Sequence, residues 1–416
     1  MNRVSRTFVQ VGATRDGLDP YLDSARKRTM TAVLVETPAY LAWRRQAGRR
    51  PFDTEVAVDR PQQPGQVVTA LRGAGLAPAM VLTGFERYAT SGFGVAAALR
   101  VPPQPVTGEP FVPPDKIRQR TAVSANAPHV LQPRYSTDLS SGLAGLGGPL
   151  VVKPTDGGGG LGVFRVPGPE QLESACALIA ATSNYGGGAF SGVLAEEQVQ
   201  GVEYSVQGVA WRGRVTLLGV CEKLVATDPA PAGLRGFREV AHIFVLGAPG
   251  VPDFTALVQD CLDAVGYHDG PFHLDLILGD AGPVLVEMGF RLSGGALAGL
   301  ISKATGQQWA DWVFACHLGE RPPRVPRAAP QPVGQATARS EAELQAAEQA
   351  QREGHQVEIL RFAVPRGDDR EAAGPPELAS DRIRHWGAVG RIEVTAGHVQ
   401  SVRDLLRRFL GARQEV

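Results

Sequence analysis

The sequence has little of what marks secreted, membrane-spanning or zinc-binding proteins. Its 416 residues include only four cysteines, at 176, 221, 261 and 316, which are far apart and form no Cys-x-x-Cys pair. That spacing argues against a zinc site or a redox dithiol and fits reduced thiols. No apolar run reaches the roughly 18 residues of a membrane span, and the first residues, MNRVSRTFVQVGATRDG, lack the apolar core of a signal peptide. We therefore expect a soluble, cytoplasmic protein.

Neither sign of charge is in excess. Forty-two Lys and Arg residues balance 42 Asp and Glu residues, so no overall field attracts nucleic acid or an anionic membrane. We expect neither as a partner, and a charged ligand must be held by local groups. Hydrophobic residues make up 43% of the chain, and a chain of this length divides into two or three domains.

The first hundred residues alternate short apolar runs with helix-like stretches. Strands are predicted at 7–12, 31–36, 55–59 and 79–84, and helices over GQVVTALRGAG and FGVAAALR. This βαβ rhythm is typical of a parallel sheet. The prolines of 101–115 predict a linker.

From 149 to about 290 the pattern predicts antiparallel hairpins. The expected strand pairs are 149–153 with 162–166, 191–198 with 203–210 and 213–221, and 272–278 with 283–289. An amphipathic helix is expected at 254–265.

A second linker is expected at 322–334, before a smaller C-terminal segment. There, Ser340 and Glu343 match a capping box, QVEILRFAV predicts a strand, and VQSVRDLLRRFL predicts an amphipathic helix.

The stretch VVKPTDGGGGLGVFRV (151–166) carries the first functional signal. Gly157, Gly159 and Gly162 fit Gly-x-Gly-x-x-Gly, but a strand follows them where a dinucleotide site needs a helix. No Gly-Lys-Ser/Thr follows, which excludes a Walker loop. The remaining interpretation is a flexible hairpin tip whose amides cover a polyphosphate, with Lys153 as a fixed charge beside it. The alternative is a mobile loop between two strands.

The stretch FHLDLILGDAGPVLVEMGFRLSGG predicts a hairpin with paired acids. If DAG (280–282) is a three-residue loop, Asp275 lies opposite Glu287. Two carboxylates at a cross-strand spacing of about 5 Å repel unless a cation lies between them, and oxygen ligands favour Mg²⁺ shared with phosphates. Arg291 can then neutralise a transferring phosphoryl group. The alternative is an exposed edge with solvated acids.

The third signal is VLAEEQVQGVEYS (192–204), where a backbone edge could contact adenine and Glu203 could bind ribose hydroxyls. By itself it is also an ordinary hairpin. In order with the glycine loop and the acid pair, it indicates an ATP site with magnesium.

These motifs together resemble the ATP-grasp family over most of the chain. Lys116 and Lys153 are similar to its two nucleotide-binding lysines, and TDGGGGLG, with Gly157, Gly158, Gly159 and Gly160, to its phosphate-covering loop. The resemblance implies adenine contacts at Glu196, Glu197 and Val199, a ribose contact at Glu203, and magnesium at Asp275 and Glu287. Arg291 matches the arginine of Glu-x-Asn-x-Arg. Gly289 replaces the asparagine, so one side-chain ligand of a second metal is missing.

The resemblance implies an ATP-grasp fold of mixed α/β and α+β class. The implied parts are an N-terminal Rossmann-like domain over 1–110, a two-part antiparallel ATP-binding domain over 111–320 with a flap at about 149–210, and a small α+β region over 321–416.

Within the family, RTFVQVGATRDG and FREVAHIFVLGAP are most similar to carboxylate–amine ligases. Such a ligase converts a small carboxylate to an acyl phosphate and couples it to an amine, releasing ADP and phosphate. Arg291, Lys153, Glu239 and His242 are the implied catalytic residues, although His242 also fits a structural role, and Arg235 and Arg238 offer a carboxylate clamp or simply surface charges. A homodimer is compatible with the resemblance. A carboxylase that uses carboxyphosphate and a nucleotide-binding protein without ligase activity stay open as alternatives.

Overall fold

Four parallel strands form the first sheet of the computed structural model, which describes residues 6–103, 110–139, 146, 148–184, 188–321, 323, 330–366 and 387–411. The order across the sheet is β3-β2-β1-β4. The strands are β1 Thr7–Val11, β2 Thr31–Glu36, β3 Thr54–Ala57 and β4 Met80–Thr83. The helices after them are α1 Tyr21–Lys27, α2 Pro38–Gln46, α3 Pro64–Gly73 and α4 Ala89–Leu99. The predicted strands and helices are confirmed, and α4 begins four residues earlier than expected.

Valines on both faces explain why this sheet is parallel and buried. Val9, Val11, Val33 and Val35 have no exposed surface, as expected for central strands with helices on each side. Beta-branched side chains suit the pleated backbone of such strands.

A second, largely antiparallel sheet contains twelve strands within the described residues, with β13-β12-β9-β10-β11-β7-β6-β8-β5 as its main path. Its strands are β5 Tyr135–Ser136, β6 Leu150–Pro154, β7 Phe164–Val166, β8 Val193–Glu197, β9 Val202–Trp211, β10 Arg214–Pro229, β11 Arg235–Phe244, β12 Gly270–Gly279, β13 Gly282–Gly289, β14 Val333–Ala338, β15 Gln356–Arg366 and β16 Ala388–Thr395. The helices around it are α5 Lys116–Asn126, α6 Leu172–Ala181, α7 Thr255–Ala264, α8 Leu297–Thr305, α9 Trp309–Leu318, α10 Glu341–Arg352 and α11 Val399–Leu410.

The predicted hairpin between 191–198 and 203–210 is wrong. β8 pairs with β6 and β5, whereas β9 pairs with β10 and β12. At Gly201 the backbone passes so close to the Leu278 carbonyl oxygen that a Cβ would lie 2.2 Å from it. The chain thus leaves the β8 side of the sheet and enters between β10 and β12. The other predicted pairs, β6 with β7, β9 with β10 and β12 with β13, are confirmed.

The C-terminal segment extends the same sheet, because β14 pairs with both β11 and β16. Its strand, its amphipathic helix and the helix at 254–265 are present as predicted. The capping box is only half correct: Ser340 Oγ accepts from the Glu343 amide at 3.3 Å, but Glu343 Oε2 accepts from the Arg339 amide at 2.7 Å.

Parts of both predicted linkers, residues 104–109, 322 and 324–329, lie outside the described residues. Among the helices that are described, none is long and apolar enough to cross a membrane.

A buried ion pair lies at the end of β2, an inner strand of the parallel sheet. Glu36 Oε2 lies 2.9 Å from an Arg15 guanidinium nitrogen, and Glu36 Oε1 accepts from the Tyr88 hydroxyl at 2.9 Å. The Arg15 guanidinium lies 3.9 Å from the ring centroids of both Tyr40 and Phe85. Because neither charge is open to solvent, each needs the other.

We predict that Glu36→Gln lowers the free energy of unfolding by about 3 kcal/mol or more, since it leaves the Arg15 charge buried without its partner. Urea denaturation measures the loss. Glu55→Gln is the control, because its partner Arg45 is 63% exposed, and it should cost under about 1 kcal/mol. Equal losses in both variants would contradict this account of the pair.

Candidate active site

The glycine run forms the turn between β6 and β7, as predicted. Gly159, Gly160 and Gly162 have φ angles of 61°, 76° and 72°, in the left-handed region that other residues disfavour. The Gly157 carbonyl accepts a hydrogen bond from the Lys116 ammonium group, which joins the loop to the start of α5. The glycines therefore allow a backbone path that brings the loop over the site.

The two lysines expected at the nucleotide approach from different elements. Lys116 Nζ, on α5, lies 3.1 Å from Glu287 Oε2. Lys153 Nζ, on β6, lies 2.5 Å from Glu196 Oε2, and Glu196 Oε1 also lies 2.7 Å from Arg120. Burial lowers the pKa of Lys153, an effect that the Glu196 carboxylate opposes. The Glu196 side chain is thus engaged within the protein and positions Lys153.

A cavity of about 250 Å³ brings together most residues expected to bind nucleotide. Its lining includes Lys153, Gly160, Glu196, Glu197, Val199, Glu203, Lys223, Asp275 and Glu287. Glu197 Oε2 lies 2.7 Å from Arg134 Nε, so this side chain is also held by the protein. The backbone around Val199 also lines the cavity, as does Glu203, whose carboxylate has a protein partner of its own in Lys223.

Asp275 lies opposite Glu287 on β12 and β13, as predicted, but the hairpin reaches this register by a different route. The pairing shifts by one residue after Asp275, because Val286 is an extra residue in β13. β12 ends with Gly279 opposite Gly282, which leaves a two-residue loop instead of the predicted three-residue loop. The two differences cancel at the acid pair.

Lys223, on β10, is the central cation of the site, and the sequence analysis missed it. Its Nζ lies 2.5 Å from Glu203 Oε1, 2.8 Å from Asp275 Oδ2 and 2.9 Å from Glu239 Oε1. Although burial opposes its charge, Asp275, Glu203 and Glu239 together raise the pKa of Lys223 well above its ordinary value. A single lysine in the apolar strand segment CEKLV was the available signal.

The acids are therefore not the uncompensated pair that the sequence suggested. Burial acts to raise the pKa of Glu287, but Lys116, Lys153 and Lys223 lower it to about 2. Asp275 and Glu287 offer carboxylate oxygens on one face, which fits Mg²⁺ shared with phosphates. Within the described part of the chain, no three His, Cys, Asp or Glu side chains are already arranged to hold a metal ion. Phosphate oxygens would have to complete such a site.

A larger cavity of about 560 Å³ lies on the other side of Glu287. Its lining includes Thr14, Arg15, Glu86, Lys116, Gly157, Gly158, His273, Glu287, Gly289, Arg291 and Ser293. Arg291 Nε lies 2.6 Å from Glu86 Oε2, so this arginine contacts the N-terminal sheet region in the structure. The expected phosphoryl contact requires Arg291 to exchange that partner.

Glu239 and His242 face the site together because β11 is irregular. Residues three apart in a regular strand point to opposite faces, but the pairing with β10 shifts at Val240 and brings both to one face. His242 Nε2 lies 3.7 Å from Glu239 Oε2. Both line a third cavity of about 280 Å³ with Gly159, Gly160 and Gln335.

The two arginines before this segment are held by protein groups. Arg238 makes a two-point contact with the Asp228 carboxylate at 2.5 and 2.6 Å, and Arg235 Nε donates to Thr227 Oγ1 at 2.7 Å. A substrate carboxylate would have to compete with these protein contacts for either guanidinium group.

Comparison with known proteins agrees with this geometry. Residues 146–299 match the family model described as the ATP-grasp domain. This segment is an ATP-grasp domain. Dapdiamide A synthase from Enterobacter agglomerans is 28% identical over 175 residues, which are 41% of this chain and 40% of that protein. Carnosine synthase 1 from Mus musculus is 31% identical over 193 residues, 43% of this chain and 22% of that protein. The matched part thus spans less than half of either relative.

Solved structures extend the likeness to the whole ATP-grasp fold, as predicted. An L-amino acid ligase from Bacillus licheniformis has 18% identity and a TM-score of 0.69, with 98% of each chain covered. N5-carboxyaminoimidazole synthase from Aspergillus clavatus, solved with ADP and 5-aminoimidazole ribonucleotide, has 14% identity and a TM-score of 0.64, with 98% of each chain covered. At these identities the agreement concerns the fold.

We predict that Lys223→Met makes the ATP-grasp site bind Mg²⁺ without nucleotide. The change leaves Glu203, Glu239 and Asp275 in repulsion and lowers the free energy of unfolding by about 3 kcal/mol or more, which a divalent cation partly restores. Thermal unfolding with MgCl₂ and with a chelator measures both effects.

Lys303→Met is the matched control, because Lys303 also contacts two acids, Glu358 and Glu393, but at a more exposed site. Lys303→Met should lower the free energy of unfolding by no more than about 1 kcal/mol, and MgCl₂ should not change its thermal unfolding. The same Mg²⁺ response in both variants would refute a specific role for Lys223.

Proposed function

We propose that this chain is an ATP-dependent carboxylate–amine ligase that forms an acyl phosphate and releases ADP and phosphate. One observation carries the proposal: Glu287 lines both the cavity that holds the predicted nucleotide residues and the larger cavity, and Lys116 Nζ lies 3.1 Å from its carboxylate. A nucleotide in one cavity and a carboxylate in the other would meet at the acid pair. The relatives described above as synthases and a ligase support this choice.

The described residues divide into the parts such a reaction needs. The backbone near Glu197 and Val199 would face the base of a bound nucleotide, and Glu203 its ribose hydroxyls. Lys116, Lys153 and the loop Gly157–Gly160 would contact its phosphates. Asp275 and Glu287 would hold Mg²⁺, which neutralises charge on the polyphosphate when it is bound.

The chemistry explains why a carboxylate must be activated. A carboxylate is a poor electrophile, because attack by an amine would have to expel an oxide. When a carboxylate oxygen attacks the γ-phosphorus, the bond to the β-phosphate oxygen breaks and ADP leaves. The amine then attacks the carbonyl carbon of the acyl phosphate, phosphate leaves, and the nitrogen loses a proton to give the amide. Fixed lysine charges and Arg291 stabilise the oxygens of the transferring group, provided that Arg291 leaves Glu86.

Glu239 and His242 are proposed to bind the second substrate. Their contact at 3.7 Å aligns a carboxylate and an imidazole beside the glycine loop, in the third cavity. A carboxylate there attracts an ammonium group, and a neutral imidazole can accept its proton. The division of the chain at 110 and 320, a homodimer and a cytoplasmic location stay predictions.

The decisive experiment identifies the products. The full chain with MgATP is tested against pairs of amino acids and other small carboxylates and amines, and nucleotides are separated by chromatography. We expect ADP and phosphate in equal amounts with an amide product. AMP and pyrophosphate would overturn the proposed mechanism, and turnover that requires bicarbonate would assign the carboxylase alternative.

We predict that Glu287→Gln and Lys153→Ala each lose most of the ADP formation while keeping the fold. Glu287→Gln removes a cation ligand, and Lys153→Ala removes a fixed charge beside the glycine loop. Steady-state kinetics and circular dichroism provide the measurements. Asp280→Asn is the control, since this exposed acid lies in the loop of the same hairpin, and it should keep normal turnover. Wild-type rates in Glu287→Gln would place the chemistry elsewhere.

A further inference from the structure

The His273 ring fills the space that a side chain at position 289 would need. Gly289 and His273 are direct partners on β13 and β12, and a Cβ added to Gly289 would lie 2.1 Å from His273 Cε1 and 2.5 Å from Nε2. Real Cβ atoms do not approach so closely, so the imidazole lies where a side chain at 289 would lie. Gly289 is therefore the residue that makes room for this ring.

The ring lies on the face that carries the acids. His273 and Asp275 are two residues apart on β12, and Glu287 and Gly289 are two residues apart on β13, so each pair points to one side of the sheet. The register joins Asp275 to Glu287 and His273 to Gly289. Two neighbouring cross-strand pairs on this face thus carry one imidazole, two carboxylates and one glycine.

The tautomer leaves one ring nitrogen available. His273 Nδ1 lies 3.2 Å from the carbonyl oxygen of Arg291, which can only accept a hydrogen bond. We assign the hydrogen of the neutral ring to Nδ1, which leaves the lone pair on Nε2. Among the described residues, no hydrogen-bond partner of Nε2 is found. A fixed Nδ1–H and an open Nε2 are the arrangement of a histidine that binds a metal ion.

We propose that His273 Nε2 is a nitrogen ligand to the divalent cation held by Asp275 and Glu287. This inference rests on the proposed function, because phosphates must draw the acids away from Lys223 and Lys116 before the donor set assembles. A mixed imidazole and carboxylate set binds Mn²⁺ or Co²⁺ in preference to Mg²⁺, whose ligands are oxygens. The site thus selects a transition metal more strongly than two carboxylates alone would.

The experiment measures cation binding by the full chain in the presence of a non-hydrolysable ATP analogue. The resonance signal of free Mn²⁺ gives the Mn²⁺ affinity, and competition gives the Mg²⁺ affinity. We expect His273→Ala to weaken Mn²⁺ binding by about tenfold or more, while Mg²⁺ binding changes much less. Gly289→Ala keeps the histidine but displaces its ring, so it should give the same loss.

A second measurement needs no substitution. Pulsed electron resonance of Mn²⁺-loaded wild-type protein should show a nitrogen coupling that changes when histidine is labelled with ¹⁵N. The coupling should be lost in His273→Ala and kept in His268→Ala, which removes a partly exposed histidine near Gly213. A nitrogen coupling that does not change with ¹⁵N labelling of histidine would overturn the inference. So would a nitrogen coupling that is still present in His273→Ala.

The outcomes separate the inference from the proposed function. A wild-type chain that binds Mn²⁺ and Mg²⁺ with the analogue, but with the same preference as His273→Ala, refutes the histidine ligand alone. A wild-type chain that binds neither cation with the analogue refutes the ATP site and the inference together.

Discussion

Neutralisation of buried and partly buried carboxylates by buried lysines is the interaction on which this site depends. Five acids lie along one region of the antiparallel sheet: Glu196, Glu203, Glu239, Asp275 and Glu287. Like charges at cross-strand distances are destabilising, and burial raises the cost further. Lys223 contacts three of these acids, and Lys153 and Lys116 contact the other two. The lysines that phosphates would need are therefore already ordered, and a nucleotide would exchange carboxylate partners for phosphate partners.

The strand order explains how residues so far apart in the chain form one charge network. β9 lies between β10 and β12, and Lys223 on β10 stands directly opposite Glu203 on β9 and His242 on β11. Two bulges complete the arrangement: the shift at Val240 brings Glu239 to the site, and the extra residue at Val286 sets the register of the acid pair. Bulges redirect side chains in this way next to active sites in many sheets.

Local patterns in the sequence predicted the parts of the site that depend on local structure. The glycine turn, the two strands of the acid pair and Lys153 beside the glycines follow from turn chemistry and alternation, whereas Lys116 was implied by the resemblance to the family. Strand partners could not be predicted in this way, because the alternation of residues in 191–198 is the same whichever strand pairs with it. The contacts of Lys223 arise from such partners, and the Arg291 to Glu86 pair joins a residue after β13 to one after β4. Residues near them in the sequence therefore do not predict these contacts. Asp275 and Glu287 were paired correctly through two errors that cancel, a loop one residue too long and a missing bulge.

Gly289 shows why a substitution within a sheet has to be considered with the residue across from it. In the sequence alone, the glycine removes a ligand from the acid hairpin. In the structure, it is the only residue type that leaves room for the His273 ring, since even a Cβ would lie 2.1 Å from Cε1. Paired residues have Cβ atoms about 5 Å apart, so a donor group carried by one strand can occupy space next to the other. A function missing from one position can thus be supplied from its partner, and the chemistry of the donor changes from oxygen to nitrogen when that partner is histidine.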